Sequence, residues 1–275
     1  MLRRRRPILP APFIPNLRDW SDRGLYSAWL GHSTVLLKVD GVTILTDPVF
    51  SCRVGFRVAG VTVGLKRLVT PALALEHLPK IDLVLLSHAH FDHFDRPTLR
   101  ALESRGTSVV TAAKTADLLR AARYRSVHEL GWGESARVGP LDVRAFAVRH
   151  WGARVRTDTY RGYNGYTIDA GRFRVLFGGD TALTSSFRSL KSARPHHLAI
   201  MPVGAYDPWI HSHCTPEQSW RMANDAGSEF FLPVHHQTFL LGRERYAEPI
   251  ERVMEAAGRH PERVAVQSIG QEFHI

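Results

Sequence analysis

Cysteine is nearly absent. Cys52 and Cys214 are the only two in 275 residues, too few for a disulfide scaffold or a four-thiolate metal site, although one disulfide remains arithmetically open. Long hydrophobic runs are missing too: no stretch reaches the about 18 apolar residues that a membrane-spanning helix needs. The chain opens on Arg3–Arg6, but Pro7, Pro10, Pro12 and Pro15 interrupt the apolar stretch a signal peptide would require, so a cytoplasmic protein is expected. Acidic residues are in deficit, 26 against 36 Lys plus Arg, for a net charge of +10 that falls to +6 without Arg3–Arg6. No zinc-finger spacing, RNA-binding aromatic signature or long basic helix accompanies the excess, which argues against a dedicated nucleic-acid binder. Anionic metabolites and acidic lipid headgroups are the partners such a surface favours, with peripheral membrane contact among them.

What is present is enough apolar material for a core, 44% hydrophobic against 23% charged. The length permits one large α/β domain, expected over residues 25–275 behind a basic, proline-rich arm at 1–24. Apolar runs at Tyr26–Leu30, Thr34–Val39 and Val42–Leu45, with Asp40-Gly41 between the last two, predict a hairpin-linked set of strands. Ile81–Leu86, Ser108–Val110, Val143–Val148, Tyr166–Asp169, Phe173–Phe177, Leu198–Pro202 and Glu229–Pro233 read as further strands. Helices are expected at 71–78, at Arg96–Ser104 with Asp95 capping, at Thr115–Ala122, at Thr215–Ala226 with Thr215 capping, and at Tyr246–Ala257. One pattern recurs: turn, apolar strand, aspartate, first through Asp40-Gly41 to Asp47 and again through Asp169-Ala170-Gly171 to Asp180. Two similar units presenting an aspartate on the same edge would produce it.

The densest chemistry is Ser87-His88-Ala89-His90-Phe91-Asp92-His93, directly after the apolar strand Ile81–Leu86. Imidazoles and a carboxylate suit zinc, or iron or manganese with more oxygen ligands. One loop cannot close two metal sites, so other strand ends must contribute. His150, Asp180 behind Gly178-Gly179, and His235 each follow a predicted strand. Taken singly, His150 and His235 read equally well as surface or capped residues. Together with the loop they make seven ligands on one sheet edge, the number that suits a pair of bridged ions.

His88-Ala89-His90-Phe91-Asp92-His93 resembles the H-x-H-x-D-H signature of the metallo-β-lactamase superfamily, with His150, Gly179-Asp180 and His235 similar to its later ligands in order. Trp29-Leu30-Gly31-His32-Ser33-Thr34, Leu45-Thr46-Asp47-Pro48-Val49-Phe50-Ser51, His150-Trp151 and Pro202-Val203-Gly204-Ala205-Tyr206 resemble the branch containing N-acylphosphatidylethanolamine-hydrolysing phospholipase D and, more distantly, L-ascorbate-6-phosphate lactonase. The likeness runs from about Tyr26 to about Gly242. It implies an αββα four-layer sandwich of two similar halves and a hydrolase using a metal-bridging hydroxide. One ion would be held by His88, His90 and His150, the other by Asp92, His93 and His235, with Asp180 between them. The ions would be two divalent cations, zinc first, with manganese or iron as alternatives. The family pattern favours His235 over His236, which would then stand behind the ligands or face substrate.

Asp92 and His213 are the candidate catalytic residues, Asp92 holding the hydroxide and His213 contacting substrate or supplying a proton. His32 and Asp47 would orient ligand imidazoles through their distal nitrogens. Trp151, Tyr206 and Trp209 would form an aromatic wall, and Cys214 would be structural or pocket-lining. Residues 53–75 mix Arg53, Arg57, Lys66 and Arg67 with apolar side chains, either as a basic-apolar rim for a lipid or as a solvated excursion. The branch favours a phosphodiester substrate. A lactone or other ester of a small anionic metabolite, and nucleic acid, are the competing substrates. An iron redox protein or a non-catalytic metal-binding module would need, respectively, a flavin domain or lost ligands.

Overall fold

The computed structural model describes residues 7–275, so the Arg3–Arg6 run lies outside the described residues. Strands β1 (Leu25–Gly31), β2 (Thr34–Val39) and β3 (Val42–Thr46) form an antiparallel meander. A separate two-stranded hairpin follows, β4 (Arg53–Val58) and β5 (Val61–Lys66). Then come β6 (Leu83–Leu86), helix α1 (Arg96–Ala101), β7 (Ser108–Ala112) and β8 (Ser126–Leu130), added in parallel to the edge of β3. The second half repeats the plan. Strands β9 (Ser135–Val138), β10 (Leu141–Phe146), β11 (Gly165–Ala170) and β12 (Phe173–Phe177) are antiparallel, and β13 (His196–Pro202), helix α2 (Pro216–Asp225) and β14 (Ser228–Val234) extend the sheet in parallel. Helix α3 (Glu248–Ala257) packs beside α2, and β15 (Glu272–His274) returns to pair with β1. The sheets have the orders β15-β1-β2-β3-β6-β7-β8 and β14-β13-β12-β11-β10-β9.

Side-chain alternation explains the layering. In β13, Leu198 and Ile200 join Leu36, Leu85 and Val143 in the core between the sheets, while Ala199 and Met201 face Met222 of α2 and Val253 of α3. Strand β6 is buried along its whole length, as a central parallel strand must be. The αββα sandwich of two similar halves is therefore as expected, although the helical layer of the first half is thin, reduced to α1 and short 3₁₀ turns. The repeated turn–strand–aspartate unit is real topology: Asp47 ends β3 and Asp180 follows β12, each where a meander meets the first parallel strand.

Several local expectations need correction. Thr115–Ala122 is not a helix but two 3₁₀ turns, Ala116–Leu118 and Ala121–Arg123, because Leu119 is extended. Residues 71–78 hold only the turn Leu75–His77, with Leu78 already extended ahead of Pro79. Asp95 sits at the start of α1 but does not cap it; its Oδ2 accepts from Thr98 Oγ1 (2.5 Å) and Ser51 N (3.1 Å). Thr215 does cap α2, in a reciprocal box with Gln218. Strands β8, β9 and β15 carried no clear signal in the sequence. Residues 7–24 lie along the body: Leu9 pairs with Val69, and Trp20 Nε1 donates to Glu272 at 2.6 Å.

Candidate metal centre

Four junctions between strand and loop carry the site. The loop after β6 supplies His88, His90, Asp92 and His93; the segments after β10 and β12 supply His150 and Asp180; and the end of β14 supplies His235. The backbone here is bent hard. His32, Asp47 and His235 adopt positive φ values of 54°, 31° and 65°, which non-glycine residues occupy only when the surroundings hold them there. Gly179 places Asp180 by close approach, since a Cβ there would lie 2.7 Å from Asn164 O and 2.8 Å from Ser87 Cβ.

All seven side chains expected from the sequence converge. His88 Nε2 and His90 Nδ1 are 2.8 Å apart, and His150 Nε2 is 3.3 Å from the same His90 nitrogen. Asp180 Oδ2 stands 3.1 Å from both His93 Nε2 and His235 Nε2, 3.7 Å from His150 Nε2 and 3.9 Å from His88 Nε2. Asp92 Oδ2 is 3.7 Å from His93 Nε2 and from His235 Nε2. The carboxylate of Asp180 thus stands between a three-imidazole set and an Asp92-His93-His235 set, and both sets have the donor spacing of a cation site.

Groups behind these nitrogens fix which atom faces inward. Asp47 Oδ2 accepts from His93 Nδ1 at 2.6 Å, while its Oδ1 takes the N–H of Ser87 at 2.7 Å. Ser87 Oγ donates to Asp47 at 2.5 Å and lies 2.8 Å from His88 Nδ1. His150 Nδ1 donates to Ser212 O at 2.8 Å. Asp47 and Asp180, the two equivalents of the repeated unit, bracket opposite edges of one imidazole, His93. Asp47 therefore orients ligand imidazoles as expected, directly for His93 and through Ser87 for His88. His32 does not; its Nε2 lies 3.1 Å from Asp92 Oδ2 and steadies a carboxylate instead.

The residues fit a cation. Buried His93 Nε2, His235 Nε2, Asp180 Oδ1 and His213 Nδ1 have no hydrogen-bond partner, a costly arrangement unless something positive takes their lone pairs. The electrostatics divide the site in two. Burial drives His88 and His150 well below the ordinary histidine range, and holds His90 and His213 down at about 4, so these rings are neutral donors. At His93 and His235 burial acts the same way but is outweighed by Asp180 and Asp92, and His235 rises to about 9. The carboxylates demand positive charge at that end.

A cleft of about 340 Å³ opens onto the cluster, its floor formed by His90, Asp92, Asp180, His213 and His235. Leu65, Trp151, Trp209, Leu240 and Leu241 form its walls. Trp151 and Trp209 are therefore wall residues as expected. Tyr206 is not: its hydroxyl donates to Glu248 Oε1 at 2.7 Å and Arg252 covers its ring, pinning the start of α3. His236 also departs from expectation. It does not line the cleft, and its buried ring stacks on Trp29 at 4.5 Å instead. Cys214 is buried with its thiol pushed up to about 12 by burial, hence no nucleophile, and Cys52 is also free. Sequence reasoning missed Ser87, whose position between a buried strand and His88 was the available signal. It also missed the Ser212 carbonyl, for which no side-chain signal exists.

Residues 42–236 match the family model of the β-lactamase superfamily domain. An uncharacterised protein of Mycobacterium tuberculosis is 35% identical over 97% of this chain and 73% of its own length. The N-acyl-phosphatidylethanolamine-hydrolyzing phospholipase D 1 of Caenorhabditis elegans is 28% identical over 86% of this chain and 70% of its own. In fold, the chain is similar to a metallo hydrolase of the archaeon Ignicoccus hospitalis, with a TM-score of 0.67 at 22% identity over 92% of this chain and 99% of that one.

Proposed function

This chain belongs to the β-lactamase superfamily and is a metal-dependent hydrolase, and from that premise we propose that it cleaves a phosphodiester of the glycerophospholipid type, N-acylated phosphatidylethanolamine being the first candidate. In this reading, His88, His90 and His150 would hold one divalent cation and Asp92, His93 and His235 a second, with Asp180 available to both. Zinc is the first candidate for both. What such cations supply when bound is an acidified water and neutralisation of charge developing on the substrate's oxygens.

The chain's own side chains do the rest. Asp92, held at Oδ2 by His32, orients the attacking water. His213, neutral because of its burial, offers an N–H to a phosphoryl or departing oxygen at the cleft. The observation that carries the substrate class is the cleft itself, with apolar walls above a floor of imidazoles and carboxylates. It suits a molecule whose phosphate reaches the floor while an alkyl portion lies against Leu65, Trp209, Leu240 and Leu241. The likeness to the nematode phospholipase supports the same class.

The test is to incubate the metal-loaded protein with phosphodiesters, phospholipids and phosphorylated or acyl lactones in water enriched in heavy oxygen. Label on the phosphate of a phospholipid product is expected. Label on a carboxylate, with no phosphodiester turnover, overturns the phospholipase reading in favour of a lactone or ester substrate. Metal analysis of the reconstituted protein tests the paired site; two ions per chain are expected, and fewer than about one defeats it.

A further inference from the structure

Along strand β4 lies a second cavity, about 450 Å³ and larger than the cleft, between the hairpin, α1 and the 154–161 segment. Its lining carries six arginines: Arg53 and Arg57 from the hairpin, Arg96 and Arg100 from α1, and Arg154 and Arg161. Two carboxylates accompany them, and both are spent locally. Asp95 accepts from Ser51 N and Thr98 Oγ1, and Asp158 accepts from Val155 N at 2.8 Å and Arg161 Nε at 2.6 Å. Arg161 is further tied to Asp117. The side chains of Arg57, Arg96 and Arg100 have no ion pair or hydrogen bond among the described residues. Arg154 is anchored without being neutralised: its Nη1 donates to Ala89 O and Phe94 O, both at 2.8 Å, and the guanidinium lies 4.0 Å over the Phe91 ring. Burial, and then the charge of nearby Arg96, hold its pKa down to about 10. Arg57, Arg96, Arg100 and Arg154 are thus gathered at a concave surface with no ion pair of their own among the described residues, an arrangement that invites an anion.

The hairpin has two unlike faces. Val54, Phe56 and Val58 pair with Leu65, Val63 and Val61 on one face, whereas Arg53, Gly55 and Arg57 pair with Lys66, Gly64 and Thr62 on the other. Around the tip, Val58 and Val61 are 58% and 65% exposed. The basic cavity therefore lies beside an apolar edge that nothing among the described residues covers.

We propose that this cavity is a second binding site, separate from the metal centre, for a phosphate-bearing anion, with Arg57, Arg96, Arg100 and Arg154 as its donors. The phosphate comes either from the headgroup of an anionic lipid, in which case Val58 and Val61 enter the bilayer surface, or from a soluble phosphoester. The site does not depend on which substrate the metal centre cleaves.

Calorimetry of the metal-loaded protein with inorganic phosphate tests it, comparing wild type, Arg96→Ala/Arg100→Ala and Asp180→Asn. Wild type and Asp180→Asn should bind, and the double arginine variant should weaken binding at least about tenfold. Arg96→Lys/Arg100→Lys should recover part of the loss. Binding that survives the arginine changes, that disappears only in Asp180→Asn, or that is missing in wild type overturns the proposal. Co-sedimentation with phosphatidylglycerol–phosphatidylcholine vesicles, against phosphatidylcholine alone, separates the sources. A lipid source requires vesicle binding that falls in both the arginine variant and Val58→Asp/Val61→Asp. A soluble source leaves vesicle binding absent while phosphate binding still needs the arginines. A melting temperature and metal content matching wild type verify that the arginine variant is folded, since neither arginine lines the metal cluster.

Discussion

The loop at residues 87–93 and the hairpin at residues 53–66 flank the same cleft and are built in opposite ways. In the loop, inward-facing donor atoms are backed by other groups: Asp47 behind His93, Ser87 behind His88, His32 behind Asp92, and Arg154 clamping the carbonyls of Ala89 and Phe94. In the hairpin, the strands bond to one another and join neither sheet. Contact with the body is confined to its base and one side, where Val54 packs with Val49 and Phe239, and Phe56 meets Phe91 at 4.8 Å. The chemistry is thus placed on the rigid part of the fold, where a displacement of a fraction of an ångström matters. Recognition of what approaches is left to a ribbon with few anchors, where change is cheap.

That contrast can be broken from either side. The largest effect is expected at Asp180, the carboxylate nearest both ligand sets. Asp180→Asn should lower turnover on the order of a thousandfold or more, and metal analysis should show loss of one ion or both. Full metal content with near-normal turnover would remove Asp180 from the centre. Next is Asp47→Ala, which touches no substrate. It frees the back of His93 and unseats Ser87, so metal affinity should fall about 10- to 100-fold, measured by competition with a chelator. Excess metal should restore much of the activity, which loss of a direct ligand would not allow.

Changes in the hairpin should be smaller and selective. Leu65→Ala and Phe56→Ala should leave turnover of a small soluble phosphodiester within about twofold, while raising KM for a long-chain substrate. Equal losses on both substrates would erase the distinction between the two regions. The smallest effect is a pH dependence far from both, at the start of β13. His196 is held down at about 4 by burial, with its Nδ1 donating to Ala226 O at 3.0 Å. The unfolded imidazole takes its proton near 6.5 and the folded one does not, so stability present above that pH is lost as pH falls towards 4. In His196→Gln the decline of Tm across that window should become shallower, by about one proton's worth of slope.

Much of this was legible in the sequence because it is local. A buried strand running into His88-Ala89-His90-Phe91-Asp92-His93 places ligands at a strand end whatever surrounds it, and Thr215-Pro216 with Gln218 starts a helix by hydrogen bonds within four residues. The thin helical layer was less legible, since Thr115–Ala122 has helical composition while Glu129, reaching from β8, takes the N–H groups of Thr115 and Ala116 at 2.6 Å.

What the sequence alone determined is the inventory: the seven candidate ligand side chains, the strand ends that carry them, and a repeated unit ending in aspartate. Only the tertiary structure decided how they meet. Stacking the halves face to face set Asp47 and Asp180 on opposite edges of His93, turned Tyr206 and His236 away from the cleft, and gathered arginines from residues 53 to 161 around one cavity. The physical reason is that backbone periodicity governs which face of its own strand or helix a side chain takes, whereas which faces meet depends on packing and charge between segments far apart in the chain.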